Sequence, residues 1–267
     1  MGHSLHFNDV DLSDYGLVVL RGPRPAVADA RIGTLPLVGA DGAVARPSVW
    51  AERVLSVPCL VLATTGTLLQ TYLDGIATAL NEREDCELWF DYLNGRHWNA
   101  RLAGGASAEE IAVRGARLDL AFLATDPHAY ARGDESTAED TIASGVATSD
   151  TSVVTTSGGS DCAWPDIEVV ASGASSAVAV ANEDNDQKAL WASPGTSSNL
   201  AAGDTIRFRC ARAHWVVDIK RSGDTDYYAS MTGFEGRFPS LAPNTANTLT
   251  FWGVAGALTV RWRETYL

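Results

Sequence analysis

Lysine is almost missing from this 267-residue chain: Lys188 and Lys220 are the only two, and arginine supplies the rest of the 20 basic residues. Against 33 acidic residues this leaves a formal net charge of −13. Such a chain lacks the basic face that grips nucleic acid or an anionic membrane. Cysteine is scarce too. Cys59, Cys86, Cys162 and Cys210 are widely spaced with no C-x-x-C pair, which excludes a zinc signature and a dense disulfide scaffold. Four free thiols, or a bridge within either half, both fit that spacing. No apolar run is long enough to span a bilayer, and the best, residues 54–62, contains Ser56 and Pro58. The first residues have neither the basic nor the apolar region of a signal peptide, and His6 stands where an N-myristoylation site needs Ser or Thr. The chain is expected to stay soluble unless a partner carries it elsewhere.

Signs of catalysis are equally thin. The five histidines, His3, His6, His97, His128 and His214, are scattered and none sits at zinc-protease spacing. There is no G-x-S-x-G elbow and no phosphate-cradling loop. The acidic stretch at residues 182–186 lacks the glycine and terminal glutamate of a calcium loop, so it reads as a solvated turn. Arg132-Gly133-Asp134 spells an integrin-binding tripeptide, a triplet short enough to arise by chance. Carboxylates abound, yet no spacing singles out a glycosidase pair. The expectation is a protein that is not an enzyme, with no catalytic, cofactor or metal site.

What is present is strand. Hydrophobic residues make up 46% of the chain, an ordinary globular share. Leu118, Leu120, Phe122 and Ala124 alternate at period two until Pro127 ends the run, and this strand divides the sequence. Before it, residues 1–132 read as one β-rich domain. A hairpin extension at about residues 29–57 turns at Asp41-Gly42, and a second hairpin, residues 87–102, turns at Asn94-Gly95. The one helix is expected over residues 67–84, where Leu69, Tyr72, Leu73, Ile76 and Leu80 form a stripe and Thr65 or Thr67 can cap the start. Residues 104–110 read as a loop. Residues 133–149 are acidic and rich in Ser and Thr, the composition of a linker. From residue 150 to 267, turns recur at sandwich-like intervals between candidate strands at 151–156, 165–170, 177–181, 188–192, 205–210, 215–220, 226–230, 248–252 and 258–262.

Five of the eight tryptophans fall in this second half. Trp215, Trp252 and Trp262 lie in strands that alternate or run apolar, which reads as core. Trp191 precedes the loop Ser193-Pro194-Gly195, so it and Trp164 are the candidates for stacking a sugar ring or meeting a partner.

Two stretches together resemble the distal tail proteins of long, flexible-tailed bacteriophages. Residues 120–130, with Phe122, Ala124, Asp126-Pro127 and Tyr130, resemble the close of that family's first domain. Gly203-Asp204-Thr205-Ile206 and the run from Gly236 through Phe238-Pro239, Leu241 and Pro243 to Asn247 resemble the signature of its second. The opening residues 7–17 and Asp41-Gly42 also fit. Asn244 stands near the family's usual glycine, and asparagine tolerates the left-handed backbone such a turn requires.

The resemblance implies a mainly β protein, a ring-forming first domain with one helix followed by a galectin-like β-sandwich. It also implies a homo-hexameric ring joining the tail tube protein to the tail-tip hub, with the hairpin belting neighbours together. The second domain would be a docking platform for receptor-binding proteins, or alternatively a module gripping a host glycan. The ring would sit at the virion tail tip, assembled in the host cytoplasm, and DNA would pass its lumen without specific binding. An acidic lumen suits that passage, since like charge prevents sticking.

Overall fold

The computed structural model describes residues 3–23, 29–36, 41, 43–45, 48–93, 95–104, 106–133, 136–142, 150–154, 157–195, 199–211 and 215–267. Gly42 and Asn94 of the two expected turns, Asp134 of the tripeptide, His214 and residues 143–149 lie outside these. The chain divides into two compact units, residues 1–132 with Leu267, and residues 133–266.

In the first unit β1 (Leu5–Phe7) and β2 (Val10–Asp11) lead through a 3-10 turn (Leu12–Tyr15) into β3 (Leu17–Val19). Short pairs follow: β4 (Ala30–Arg31), β5 (Thr34–Pro36), β6 (Ala43–Ala45) and β7 (Val49–Trp50). The body is completed by β8 (Arg53–Leu62), α1 (Gly66–Ala79), β9 (Cys86–Phe90), β10 (Arg96–Leu102), β11 (Ala108–Ala112), β12 (Gly115–Ala124) and β13 (Ala129–Ala131). Strand order is β2-β1-β9-β10-β12-β8-β3, with β11 added on β12 and β13 on β10.

The dividing strand is β12. It pairs along its whole length with β8, from Gly115 opposite Leu62 to Ala124 opposite Arg53. Leu118, Leu120, Phe122 and Ala124 point into the core, where Leu55, Val57, Cys59 and Val61 of β8 are also buried. Asp119 is exposed on the other face, while Ala121 and Leu123 are half-covered. Pro58 is tolerated inside β8 because its backbone faces the end of β3. There its carbonyl accepts from the Leu20 N–H at 2.9 Å, and no N–H is missed in the ladder with β12.

Three boundaries differ from the sequence reading. The hairpin consists of β4 with β7 and β5 with β6, so its return arm ends at Trp50. Residues 53–57, read as part of it, already belong to the core strand β8, whose alternation of buried and exposed positions is unbroken from Arg53. The helix stops at Ala79, not at residue 84, because the apolar stripe ends at Leu80 and the next residues are polar. Residues 108–110, read as loop, belong to β11, exposed throughout and therefore without periodicity in its sequence. Thr65 caps the helix, its hydroxyl accepting from the Leu68 N–H at 3.1 Å. Gly75 costs about 1 kcal/mol in a helix, but the Tyr15 ring lies where its side chain would be, 2.4 Å from an ideal Cβ.

The second unit comprises β14 (Ser136–Ile142), β15 (Asp150–Val154), β16 (Asp166–Ala171), β17 (Ala177–Asn182), β18 (Gln187–Ala192), β19 (Thr205–Arg209) and β20 (Val216–Lys220). β21 (Tyr228–Ala229), β22 (Phe234–Gly236), β23 (Asn247–Trp252), β24 (Gly256–Trp262) and β25 (Thr265–Tyr266) complete it. One antiparallel sheet runs β14-β24-β16-β19-β20-β21 and the other β15-β23-β17-β18-β22. Between them lies a core of alternating side chains, among them Ile167, Val180, Trp191, Phe208, Phe251 and Trp262. It is a β-sandwich. Residues 136–142, read from composition as linker, pair with β24 from Ser136 opposite Trp262 to Ile142 opposite Gly256. Edge pairing uses backbone groups alone, so an acidic, small-residue stretch can join a sheet with no hydrophobic pattern.

Candidate functional site

The family-like motifs are built as structural brackets. In the first unit, the Asp126 carboxylate that follows β12 accepts from the His128 N–H at 3.1 Å, from His128 Nδ1 at 2.5 Å and from the Tyr130 hydroxyl. Burial pushes the Asp126 carboxyl up, but these donors outweigh it and hold the group below the ordinary aspartate range. The chain is thereby turned from β12 into β13, where Tyr130 pairs with His97.

In the second unit, Gly203 adopts φ +86°, a left-handed conformation that favours glycine. The adjacent Asp204 is 2% exposed. It accepts from the N–H groups of Ala201 (2.9 Å) and Ser222 (2.8 Å) and from Arg221 Nη1 (2.6 Å). Burial raises its pKa and those donors lower it further than that, so it too titrates below the ordinary range. Asn244 has φ +55°, the left-handed backbone expected of it. Asn247 is fully buried, donates to the carbonyls of Ala242 and Thr245 at 3.1 Å each, and accepts from the Ala242 N–H at 2.7 Å.

The tryptophans sort differently from the sequence reading. Trp191, a candidate contact, is 0% exposed and packed in the sandwich core, its Nε1 donating to Ser230 Oγ at 3.2 Å. An indole with both faces covered offers no surface to a sugar. Trp215, read as core, is 56% exposed because it lies just before β20, outside the alternation of that strand. Trp164 is partly buried against the core and sits 6.3 Å, centroid to centroid, from Trp215. Trp252 is half-buried under the Lys188 ammonium at 4.4 Å, and Trp262 is core. Trp164, Trp215, Phe234 and Phe238 help to line a pocket of about 470 Å³ in the second unit.

The first unit carries a different kind of surface. Ile32 and Val49 of the hairpin, Val54 and Leu62 of β8, and Ile111 and Val113 around β11 are all more than half exposed. The guanidinium of Arg53, by contrast, is buried, with no hydrogen-bond partner on Nη1 or Nη2 among the described residues. Burial lowers its pKa, against the opposing charge of Asp29. Cys59, Cys86, Cys162 and Cys210 are all free thiols, and burial pushes Cys59 up to about 12. Among the described residues, no group of three or more His, Cys, Asp or Glu side chains is placed to hold a metal ion, and no helix is long and apolar enough to cross a membrane.

Residues 10–124 match the phage tail protein RIFT-related domain family. Over its whole length the chain is similar in fold to the Dit (gp 19.1) protein of phage SPP1, described as a paradigm of the hub adsorption apparatus of phages infecting Gram-positive bacteria. The TM-score is 0.73 and the identity 17%, covering 100% of both chains. A chain of the phage p2 baseplate, in its activated conformation with strontium, is similar at a TM-score of 0.50 and 6% identity, over 98% of this chain and 97% of that one. No curated protein matches the sequence. The resemblance to distal tail proteins, first carried by short motifs, thus extends to the fold of the entire chain.

Proposed function

We propose that this protein is a structural distal tail protein, whose first unit builds a homo-hexameric adaptor ring between the tail tube and the tail-tip hub. The observation that carries the reading is the match of residues 10–124 to the phage tail protein RIFT-related domain family, within a chain similar in fold to a Dit protein from end to end. The exposed apolar side chains of the first unit support it, because a monomer gains nothing by leaving Ile32, Val49, Ile111 and Val113 in water. Ring neighbours would cover them, the hairpin acting as the belt. The second unit serves as a platform for receptor-binding proteins. DNA passes the lumen without specific contacts, in keeping with the net charge of −13. The protein is assembled in the host cytoplasm and resides at the virion tail tip. The motif-bearing residues Asp126, Asp204 and Asn247 act as brackets, not as reagents.

Light scattering and negative-stain microscopy of the full chain, alone and with its tail tube protein, test this. Six-fold rings are expected under at least one of the two conditions. Monomers under both, at high concentration, would sink the reading.

A further inference from the structure

The pocket lies in the second unit, apart from the first unit that the proposed function makes the ring builder. Phe238, 5% exposed, belongs to the core and forms the floor. Phe234 stacks on it at 4.6 Å and 15°, and Trp215 lies 6.4 Å from it, inclined by 27°. Trp164 extends the aromatic wall beyond Trp215 at 6.3 Å and 38°. The core beneath is closed by Phe238, so Trp215 at 56% exposure adds little to it. A cavity of about 470 Å³ falls in the range of small-ligand sites, roughly 300–1,000 Å³.

The polar groups at this wall narrow the ligand. Gln187 and Arg237 line the same cavity. Gln187 Oε1 already accepts from the Ser240 N–H at 2.6 Å and from Ser240 Oγ at 3.0 Å, which occupies its acceptor and leaves the amide nitrogen as the group it can offer. Arg237 is exposed and presents only donors. Among the described residues, no acidic side chain lines the cavity. Aromatic faces take up the C–H face of a sugar ring, while the donors of Gln187 and Arg237 want oxygen acceptors, and a guanidinium prefers a carboxylate. A neutral apolar peptide side chain would use the wall and leave the rim idle. The geometry points to a binding site for a pyranose ring bearing an acidic group, a uronic acid or its glycosides, with the ring on Trp215 and the carboxylate on Arg237.

The probes are glucuronate and glucose, titrated against the full chain by saturation-transfer NMR and tryptophan fluorescence. Glucuronate is expected to bind in the millimolar range and more tightly than glucose, with saturation concentrated on one face of its ring. Trp215→Ala should weaken both sugars roughly tenfold. Arg237→Gln should erase the preference for glucuronate, weakening glucuronate binding more than glucose binding. Unaltered circular dichroism and unfolding midpoints verify that the variants are folded. Should Trp215→Ala not fold, displacement of the indole N–H resonance of Trp215 by glucuronate in the unmodified protein serves instead. Absence of binding, binding that ignores Trp215, equal affinity for the two sugars, or an apolar peptide that occupies the pocket undisturbed by sugar would each overturn the proposal. None of these outcomes bears on ring formation, so the two readings fail separately.

Discussion

Asn182 and Asn247 meet in the core of the second unit, 65 positions apart in the chain, with Nδ2 of the first donating to Oδ1 of the second at 3.2 Å. Asn182 also donates to the Ser240 carbonyl at 2.6 Å. The two amides thus pin the loop that carries the Phe238-Pro239 motif to the strands β17 and β23. Asn247→Ala should cost about 3 kcal/mol, since it strands several buried backbone partners. Asn247→Asp is almost isosteric but cannot donate to Ala242 and Thr245, so it should be about as damaging. Urea unfolding of the second unit, followed by tryptophan fluorescence, checks both.

Acid should loosen both brackets. The Asp126 and Asp204 carboxyls titrate below the ordinary aspartate range when folded. A depressed folded pKa means that the unfolded chain binds protons first. The stabilisation is therefore complete above the unfolded value and is lost as pH falls through the folded one. Asp204→Asn should flatten the acid limb of the stability profile of the second unit and leave that of the first unchanged. Unit-specific hydrogen exchange measured between neutral pH and pH ~3 reads this out.

The two tryptophans should respond very unequally to the same substitution. Trp191→Ala removes a fully buried indole and should destabilise the second unit by about 3–5 kcal/mol. Trp215→Ala should stay within about 1 kcal/mol of the parent, because the side chain is mostly in water. Denaturant midpoints that ranked the two the other way would contradict the packing described here.

Arg53 tests the cost of a buried charge. Its buried guanidinium has no partner on Nη1 or Nη2 among the described residues, so a hydrophobic replacement of similar volume relieves the desolvation cost. Arg53→Met should raise the stability of the isolated chain by about 1–3 kcal/mol. Differential scanning calorimetry measures it, and a lowered midpoint would show that the group is satisfied after all.

Phe122 and Val113 separate folding from association. Phe122 is fully buried, so Phe122→Asp should unfold the first unit and reveal nothing specific about rings. Val113 is 77% exposed, so Val113→Asp should leave the monomer folded and reduce the share of rings. A chain ending at Arg132 should still assemble. Sedimentation velocity on the three variants distinguishes these outcomes.

Local pattern sufficed for most of the fold. The period-two runs at residues 118–124 and in the second half mark strands within a few residues of β12, β16 to β21, β23 and β24, because alternate residues of a strand face one core. The 3.6-residue stripe from Leu69 to Leu80 located the helix for the same kind of reason. What local pattern missed depends on partners remote in the chain. β14 exists because β24, more than a hundred residues later, presents a backbone edge to it. Trp191 and Trp215 have similar apolar neighbours in sequence, and their fates diverge only because one lies between two packed sheets and the other before a strand begins. The dividing strand shows both halves of the lesson. Its period-two alternation of apolar residues is written in its own residues, whereas the Asp126 bracket that turns it into β13 appears only when His128 and Tyr130 fold back onto that carboxylate.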